Sequence, residues 1–325
     1  MKLLPPENHV LALSGGVGGS KLALGLSRVL PAGQLSIVAN TADDFEHLGL
    51  HISPDLDTLM YTLAGLNDNE RGWGLAGETW SILEALGRLG EEIWFQLGDR
   101  DFATHVARTK YLRDGHTLSE VTTKLCRNLG ISHPIIPMSD DPIRTQIIAG
   151  EQVLDFQHYF VRDRCEPPVS EILLKGIATA QPQDTFKKLL RSDKLNAIII
   201  GPSNPFVSID PIIKIPSIKS LMKESSAPVV AVSPIIGNES VKGPAAKMMS
   251  ELGMTVSCLS IAEHYGSLLD GLVIDESDAP QEAILRENGL DVLVVPTLMR
   301  SLDDRIKLAT DVLDFSIKLF SCRLG

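Results

Sequence analysis

Eight short runs of almost unbroken apolar residues recur along the chain, with helical periodicity between most of them. They are HVLAL (9–13), LSIVAN (35–40), ILLKGI (172–177), NAIIIG (196–201), PVVAVS (228–233), VSCLS (256–260), LVID (272–275) and DVLVVP (291–296). A strand with one wet face alternates apolar and polar side chains, whereas strands apolar at consecutive positions are buried on both faces. Helices then cover both faces of a parallel sheet. The expected fold class is therefore α/β, with a doubly wound, mostly parallel, Rossmann-like sheet. Between about residues 54 and 190 the pattern changes to helical segments such as PDLDTLMYTLAGL and RDFATHVARTKYLR, interrupted by a strand-like IWF at 93–95. An extended PIIPM (134–138) and a hairpin around Gly150 in QIIAGEQVLDF (146–156) follow. We expect one α/β domain over 1–325, with a largely helical excursion or small subdomain over about 54–190 inserted in it.

Composition removes several function classes. A chain of 325 residues buries about three-quarters of its unfolded surface and needs no staples. The hydrophobic fraction of 44% and charged fraction of 22% are those of a globule, not of a disordered chain or a coiled coil. A net charge of -11 argues against a sequence-independent nucleic-acid binder, which needs a basic face for phosphates. Cys126, Cys165, Cys258 and Cys322 form no CxxC and lie at no zinc spacing, so they read as buried, reduced thiols. Residues 1–9 carry no secretory apolar region, and no apolar run reaches the roughly 18 residues of a membrane span. The expectation is a cytoplasmic protein with neither membrane nor nucleic acid as partner.

Ligands of doubly wound sheets sit beyond the C-terminal ends of the strands, so the loops after the strands are where chemistry is sought. SGGVGGSK (Ser14–Lys21) follows the first strand and opens a helix. It departs from both the Walker A and GxGxxG spacings. Even so, its four glycines suit a backbone that approaches a phosphate closely, and Lys21 adds charge. NTADDFEHLGLHISPDLDT (40–58) follows the second strand and gathers Asp43, Asp44, Glu46, Asp55 and Asp57. Pro54 suits the first helical position with Ser53 as cap, and first-turn acids complement a helix dipole. That accounts for Asp55 but not for Asp43 and Asp44 at the end of a buried strand. Packed carboxylates need a cation or a donor, and Mg²⁺ takes one or two of them plus phosphate oxygens. GPSNPFVSIDP (201–211) and SPIIGNESVKGPAA (233–246, with Lys242) offer further polar groups after later strands. In LGDRDFATH, Arg100 lies between Asp99 and Asp101, either as a solvated ion-pair cluster or as a ligand clamp. His47, His51 and His105 read first as surface or capped residues, and Trp73 and Trp80 as packing residues able to wall a flat ligand.

Taken together and in this order, these stretches resemble the 2-phospho-L-lactate transferase family, which makes the precursor of the deazaflavin coenzyme F-420. The resemblance covers nearly the whole chain. It rests on SGGVGGSK, NTADD with PDLDT, RGWG with ETW, LGDRDFATH, PMSDD, GPSNPFVSIDPI and SPIIG. RGWG/GETW and GDRDFATH look most like the bacterial branch, whose members use phosphoenolpyruvyl donors. The resemblance implies a Rossmann-like core, usually in a homodimer, and the transfer of a phospho-acid group from a guanosine-diphospho donor to the ribityl hydroxyl of the deazaflavin FO. GMP leaves, and F-420-0 or its dehydro form results. It further implies that Gly15, Gly16, Val17, Gly18, Gly19 and Lys21, with Ser203, Asn204 and Ser233, line the nucleotide. Asp44, His47 and Arg100 fall on the FO side, and Asp44 and Asp57 match acids that hold Mg²⁺. Asp44, Asp57 and Arg100 are the catalytic candidates. The donor's acid stays open among lactate, enolpyruvate and glycerate. Two other readings remain: a non-enzymatic nucleotide-sugar-binding regulator, which generally lacks the NTADD–PDLDT pairing with GDRD and RGWG, and a nicotinamide dehydrogenase, which the glycine spacing disfavours.

Overall fold

The computed structural model describes residues 8–324. From its N-terminal side the described chain runs through β1 (His9–Ser14), α1 (Gly16–Val29), β2 (Leu35–Ala39) and a hairpin of β3 (Phe45–His47) and β4 (Leu50–Ile52). Helices α2 (Pro54–Ala64), α3 (Ser81–Arg88), α4 (Asp99–Arg113) and α5 (Leu118–Asn128) follow. Next come β5 (Ile135–Pro137), β6 (Arg144–Ala149), β7 (Gln152–Asp155), β8 (Glu171–Lys175) and α6 (Asp184–Leu190). The chain continues with β9 (Leu195–Ile200), α7 (Asp210–Ile213), α8 (Ile218–Glu224), β10 (Val229–Val232) and the hairpin β11 (Ile235–Ile236)–β12 (Glu239–Ser240). Then follow α9 (Ala245–Glu251), α10 (Cys258–Tyr265), β13 (Gly271–Ile274), α11 (Glu282–Glu287), β14 (Asp291–Val294) and α12 (Leu302–Leu324).

Among the described residues seven strands form one sheet in the order β14-β13-β10-β9-β1-β2-β5, and every neighbouring pair is parallel. The expected α/β class is what the structure shows. Consecutive residues of β1 serve opposite faces: Val10 and Ala12 join the core under α1 and α12, whereas Leu11 and Leu13 join the core shared with α8 and α10. This is why the strand reads as an unbroken apolar run. From β1 the chain proceeds outward through β2 and β5 on one side and through β9, β10, β13 and β14 on the other. The order therefore reverses between β1 and β9, which is where such sheets open a crevice.

Three expectations are corrected. VSCLS (256–260) is no strand: Ser257 caps α10, its hydroxyl accepting from the Ser260 amide at 3.2 Å. IWF (93–95) is irregular and packs through its rings. The first four residues of ILLKGI lie in β8, but β8 pairs antiparallel with β6 in a separate sheet ordered β7-β6-β8. The extended PIIPM lies over β5, which is an edge of the main sheet, so the segment 54–190 contributes to the core sheet as well as to its own. The hairpin at Gly150 forms as expected, with φ +60 at that residue. Of the four free cysteines, Cys126 and Cys258 are buried, Cys165 is half-buried and Cys322 is exposed. Among the described residues no helix is long and apolar enough to cross a membrane.

Candidate functional site

The site is built where β1 and β2 end. Gly15 is the N-cap of α1, and the glycines after it divide the work unevenly. A Cβ on Gly18 would lie 2.1 Å from the Pro202 carbonyl oxygen, and one on Gly19 would lie 2.5 Å from the hydroxyls of Ser14 and Ser203. A Cβ on Gly15 would meet Ser208 at 2.6 Å and Asp55 at 2.8 Å. These three let α1 seat against the protein's own turns. Gly16, at φ +62, faces open space. Ser203 is the strut of this arrangement: its hydroxyl donates to the Gly15 carbonyl at 2.7 Å and accepts from the Gly15 amide at 3.3 Å. Early amides of a helix have no carbonyl one turn back, so the first turn of α1 presents donors. The Gly16 amide donates to Asp55 Oδ1 at 2.6 Å.

That last bond ties the acid-rich loop to the glycine turn. Asp43, Asp44, Asp55 and Asp57 are all buried, so they are no solvated face. Asp55 also accepts from Asn40 Nδ2 at 2.9 Å, and its carboxyl is nonetheless pushed up to about 6, chiefly by burial. Burial and the neighbouring Asp55 push Asp43 well above the usual carboxylate range. Asp44 Oδ2 accepts from Ser53 Oγ at 2.8 Å and lies 3.1 Å from His51 Nε2. Pro54 begins α2 as expected, but the Ser53 hydroxyl serves Asp44 rather than capping the helix. Asp43 Oδ1 and Asp44 Oδ1 are buried without a partner. Such orphaned oxygens fit a hard cation. Among the described residues no three metal-ligating side chains converge. Asp57 is different. Arg108 grips both of its oxygens, with Nη1 at 3.1 Å from Oδ2 and Nη2 on Oδ1, so any cation there competes with a buried guanidinium.

Arg108 belongs to a buried network between α2 and α4. His105 lies between Asp57 and Asp101, and the Tyr61 hydroxyl donates to Asp101 at 2.6 Å. The DRD triplet does not form an ion-pair cluster. Asp99 accepts from Thr79, Ser81 and Ile82 at the start of α3, whereas the exposed Arg100 donates to the Ala76 carbonyl at 2.8 Å. No hydrogen bond joins Arg100 to Asp44. His47, buried with its Nε2 unpartnered, packs edge-on to Trp94 at 5.1 Å and Phe95 at 5.9 Å. Phe45 completes this aromatic wall at 4.9 Å from Phe95.

On the other side of the glycine turn an open cleft runs over the ends of β9 and β10. Val17, Gly18, Lys21, Asn204 and Ser233, all named from sequence, line it. Ser203 serves from behind, as the strut. Asn204 also caps the turn that follows, its Oδ1 accepting from Phe206 at 3.0 Å. Lys242, Thr297 and Met299 line the cleft too. Thr297 stands just past β14, where the strand-end rule points, and its amide and hydroxyl both donate to Asp275. Lys21 donates to the Met299 carbonyl at 3.1 Å. Its ammonium is pushed below the usual lysine range by burial, then by the charges of Arg305 and Lys242. An acidic protein therefore carries a basic cluster at this one cleft.

Comparison with known proteins places the chain in a family. A family model described as 2-phospho-L-lactate transferase CofD matches residues 10–296. The 2-phospho-L-lactate transferase of Methanosarcina mazei is 41% identical over 300 residues, covering 92% of this chain and 98% of the relative. The phosphoenolpyruvate transferase of Streptomyces coelicolor is 38% identical over 311 residues, covering 94% and 97%. A solved UPF0052-family protein of Bacillus halodurans superposes with a TM-score of 0.63 at 14% identity, over 96% of this chain and 99% of that one, a likeness of fold.

Proposed function

The chain belongs to the 2-phospho-L-lactate transferase family, and from that premise we propose that it moves a phospho-acid group from a guanosine-diphospho donor onto the terminal ribityl hydroxyl of FO. The family makes it a transferase; donor and acceptor are our reading. The observation that carries it is the 2.6 Å bond between the Gly16 amide and Asp55, which sets buried carboxylates against one side of a phosphate-sized turn while Lys21 and Lys242 line the other. A diphosphate placed across that turn meets amide donors and ammonium groups, and the acceptor hydroxyl enters from the acid side.

In this reading the FO oxygen attacks the β-phosphorus, a new P–O bond forms, the bond to the GMP oxygen breaks, and GMP departs with the electron pair. The hydroxyl proton passes to a carboxylate, and Asp44 is our candidate through its Oδ2, which Ser53 and His51 hold in place and which leaves Oδ1 for the ion. Catalysis is then mostly positioning and charge neutralisation. Asp44, with Asp43 beside it, would hold Mg²⁺; Asp57 would join them once Arg108 yields an oxygen. Bound there, the ion would neutralise charge on the diphosphate. The wall of Phe45, His47, Trp94 and Phe95 suits a flat deazaflavin ring, and Arg100, on the first turn of α4, would reach the FO side from solvent.

The acid on the donor follows from no side chain named above, and relatives of both names match nearly equally. Purified protein offered FO with lactyl-, enolpyruvyl- and glyceryl-linked donors should release GMP and yield one phosphodiester, read by mass spectrometry. Binding of both substrates without product from any donor would overturn the reading and favour a nucleotide-binding regulator. The soluble chain is expected to work as a homodimer in the cytoplasm, with sedimentation as the check.

A further inference from the structure

Lys21 and Lys242, which line the cleft, and Arg305, whose charge bears on Lys21, have an arrangement that phosphate binding by the glycine turn leaves unexplained. Lys242 Nζ donates to the Arg71 carbonyl at 3.3 Å, and Arg305 Nη2 donates to Asn69 Oδ1 at 3.4 Å. Both acceptors are neutral, and both lie in the loop between α2 and α3. Among the described residues Lys21, Lys242 and Arg305 form no ion pair. Asp304, beside Arg305, accepts instead from the amides of Arg300 and Ser301. Arg305 is only 7% exposed, and its Nε is buried without a partner. The loop itself leans on the cleft, since a Cβ on Gly72 would lie 2.9 Å from Lys242 Nζ and 3.3 Å from Val17 Cγ1. Gly72, Gly74 and Gly77 hold φ values of +85, +69 and +68, and the exposed Arg71 guanidinium lies 5.0 Å from the Trp80 ring and 5.7 Å from that of Trp73.

We propose that Lys242 and Arg305 are anion-binding residues of the cleft, that the loop 66–80 is latched by those same two cations, and that a diphosphate entering the cleft displaces the latch and frees the loop. The physical ground is competition for donors. A cation bonded to an anionic oxygen gains the attraction of opposite unit charges, which a bond to a neutral carbonyl or amide oxygen does not supply. Three clustered positive charges with no ion-paired carboxylate are relieved by an arriving anion and not by a backbone carbonyl. The inference rests on reading the cleft as the phosphate site.

The test uses inorganic pyrophosphate on the full chain, with calorimetry for binding and trypsin for the Arg71–Gly72 bond. Pyrophosphate should bind the wild type, speed cleavage after Arg71 several-fold and shift the fluorescence of Trp73 and Trp80. Lys242→Met, an exposed substitution that leaves the core intact, should weaken pyrophosphate by roughly tenfold or more and cut fast without it. Arg305→Lys, which keeps the charge but loses the fork, should fall between. Tight binding with an unchanged or slower cut at Arg71 overturns the latch and leaves the transferase reading standing. Wild-type affinity in Lys242→Met overturns the anion role. Absence of pyrophosphate binding overturns both the inference and the phosphate site beneath it, whereas a working latch without product from any donor defeats the transferase reading alone.

Discussion

Arg108 is among the largest fully buried side chains, and its guanidinium meets Asp57 in a paired, desolvated contact. Removing one member of such a pair strands the other charge. Arg108→Met should therefore lower stability by roughly 3–5 kcal/mol, and Asp57→Asn combined with it should recover much of the loss. Urea denaturation of the three proteins checks this, and additive losses would contradict it. Asp44 is a different case, because its free oxygen faces no donor. Asp44→Asn keeps the shape and removes both the proton acceptor and one anionic ligand of the proposed ion. We expect kcat to fall by about 10²–10⁴ with KM little changed, and near-normal turnover would eliminate Asp44 as the base. Sequence reasoning singled out Asp43 and Asp44 because acids at a buried strand end demand an explanation, and named Asp57 only through the family resemblance. It passed over Asp55, whose place in that first turn had an adequate dipole explanation. The bond to Gly16 is a contact across 39 positions that no local pattern reports.

Helices α1 and α12 pack closely because Gly25 has no side chain: a Cβ there would lie 2.1 Å from the Arg305 carbonyl oxygen. Gly25→Ala should push α12 outward at a cost of about 1–3 kcal/mol and disturb Arg305 at the cleft, so that pyrophosphate affinity falls along with the melting temperature. A drop in stability with affinity intact would show that α12 yields without moving Arg305. At this scale the sequence was a good guide to strands buried on both faces and to the Gly150 hairpin. It misjudged VSCLS, because a run of five small and apolar residues fits a strand and a capped helix start alike. It misjudged IWF for a related reason: two aromatic rings and an isoleucine read as strand, yet they are placed by Phe45 and His47 from a distant hairpin.

Across the molecule, the buried acids make stability depend on pH. The carboxyls of Asp43 and Asp55 are raised in the folded state, so folding favours their protonated forms. The penalty is absent below the unfolded value of about 4, grows as pH rises, and for Asp55 is complete above its folded value of about 6. A divalent cation held by Asp43 and Asp44, beside Asp55, relieves the penalty only where these carboxyls are charged. Mg²⁺ should therefore raise the melting temperature more at pH 7.5 than at pH 5, with Ca²⁺ as control, and equal shifts at both pH values would count against a carboxylate-held ion. The sequence by itself determined the parallel sheet, the glycine turn and the gathering of acids, because burial on both faces and close backbone approach each impose a composition that can be read locally. Only the tertiary structure decided how the charges are shared: Asp57 to Arg108, Asp55 to Gly16, and Lys242 and Arg305 to a loop more than 150 residues away. Pairing depends on distances between chain-remote groups after packing has removed water from between them, and no spacing along the chain encodes that.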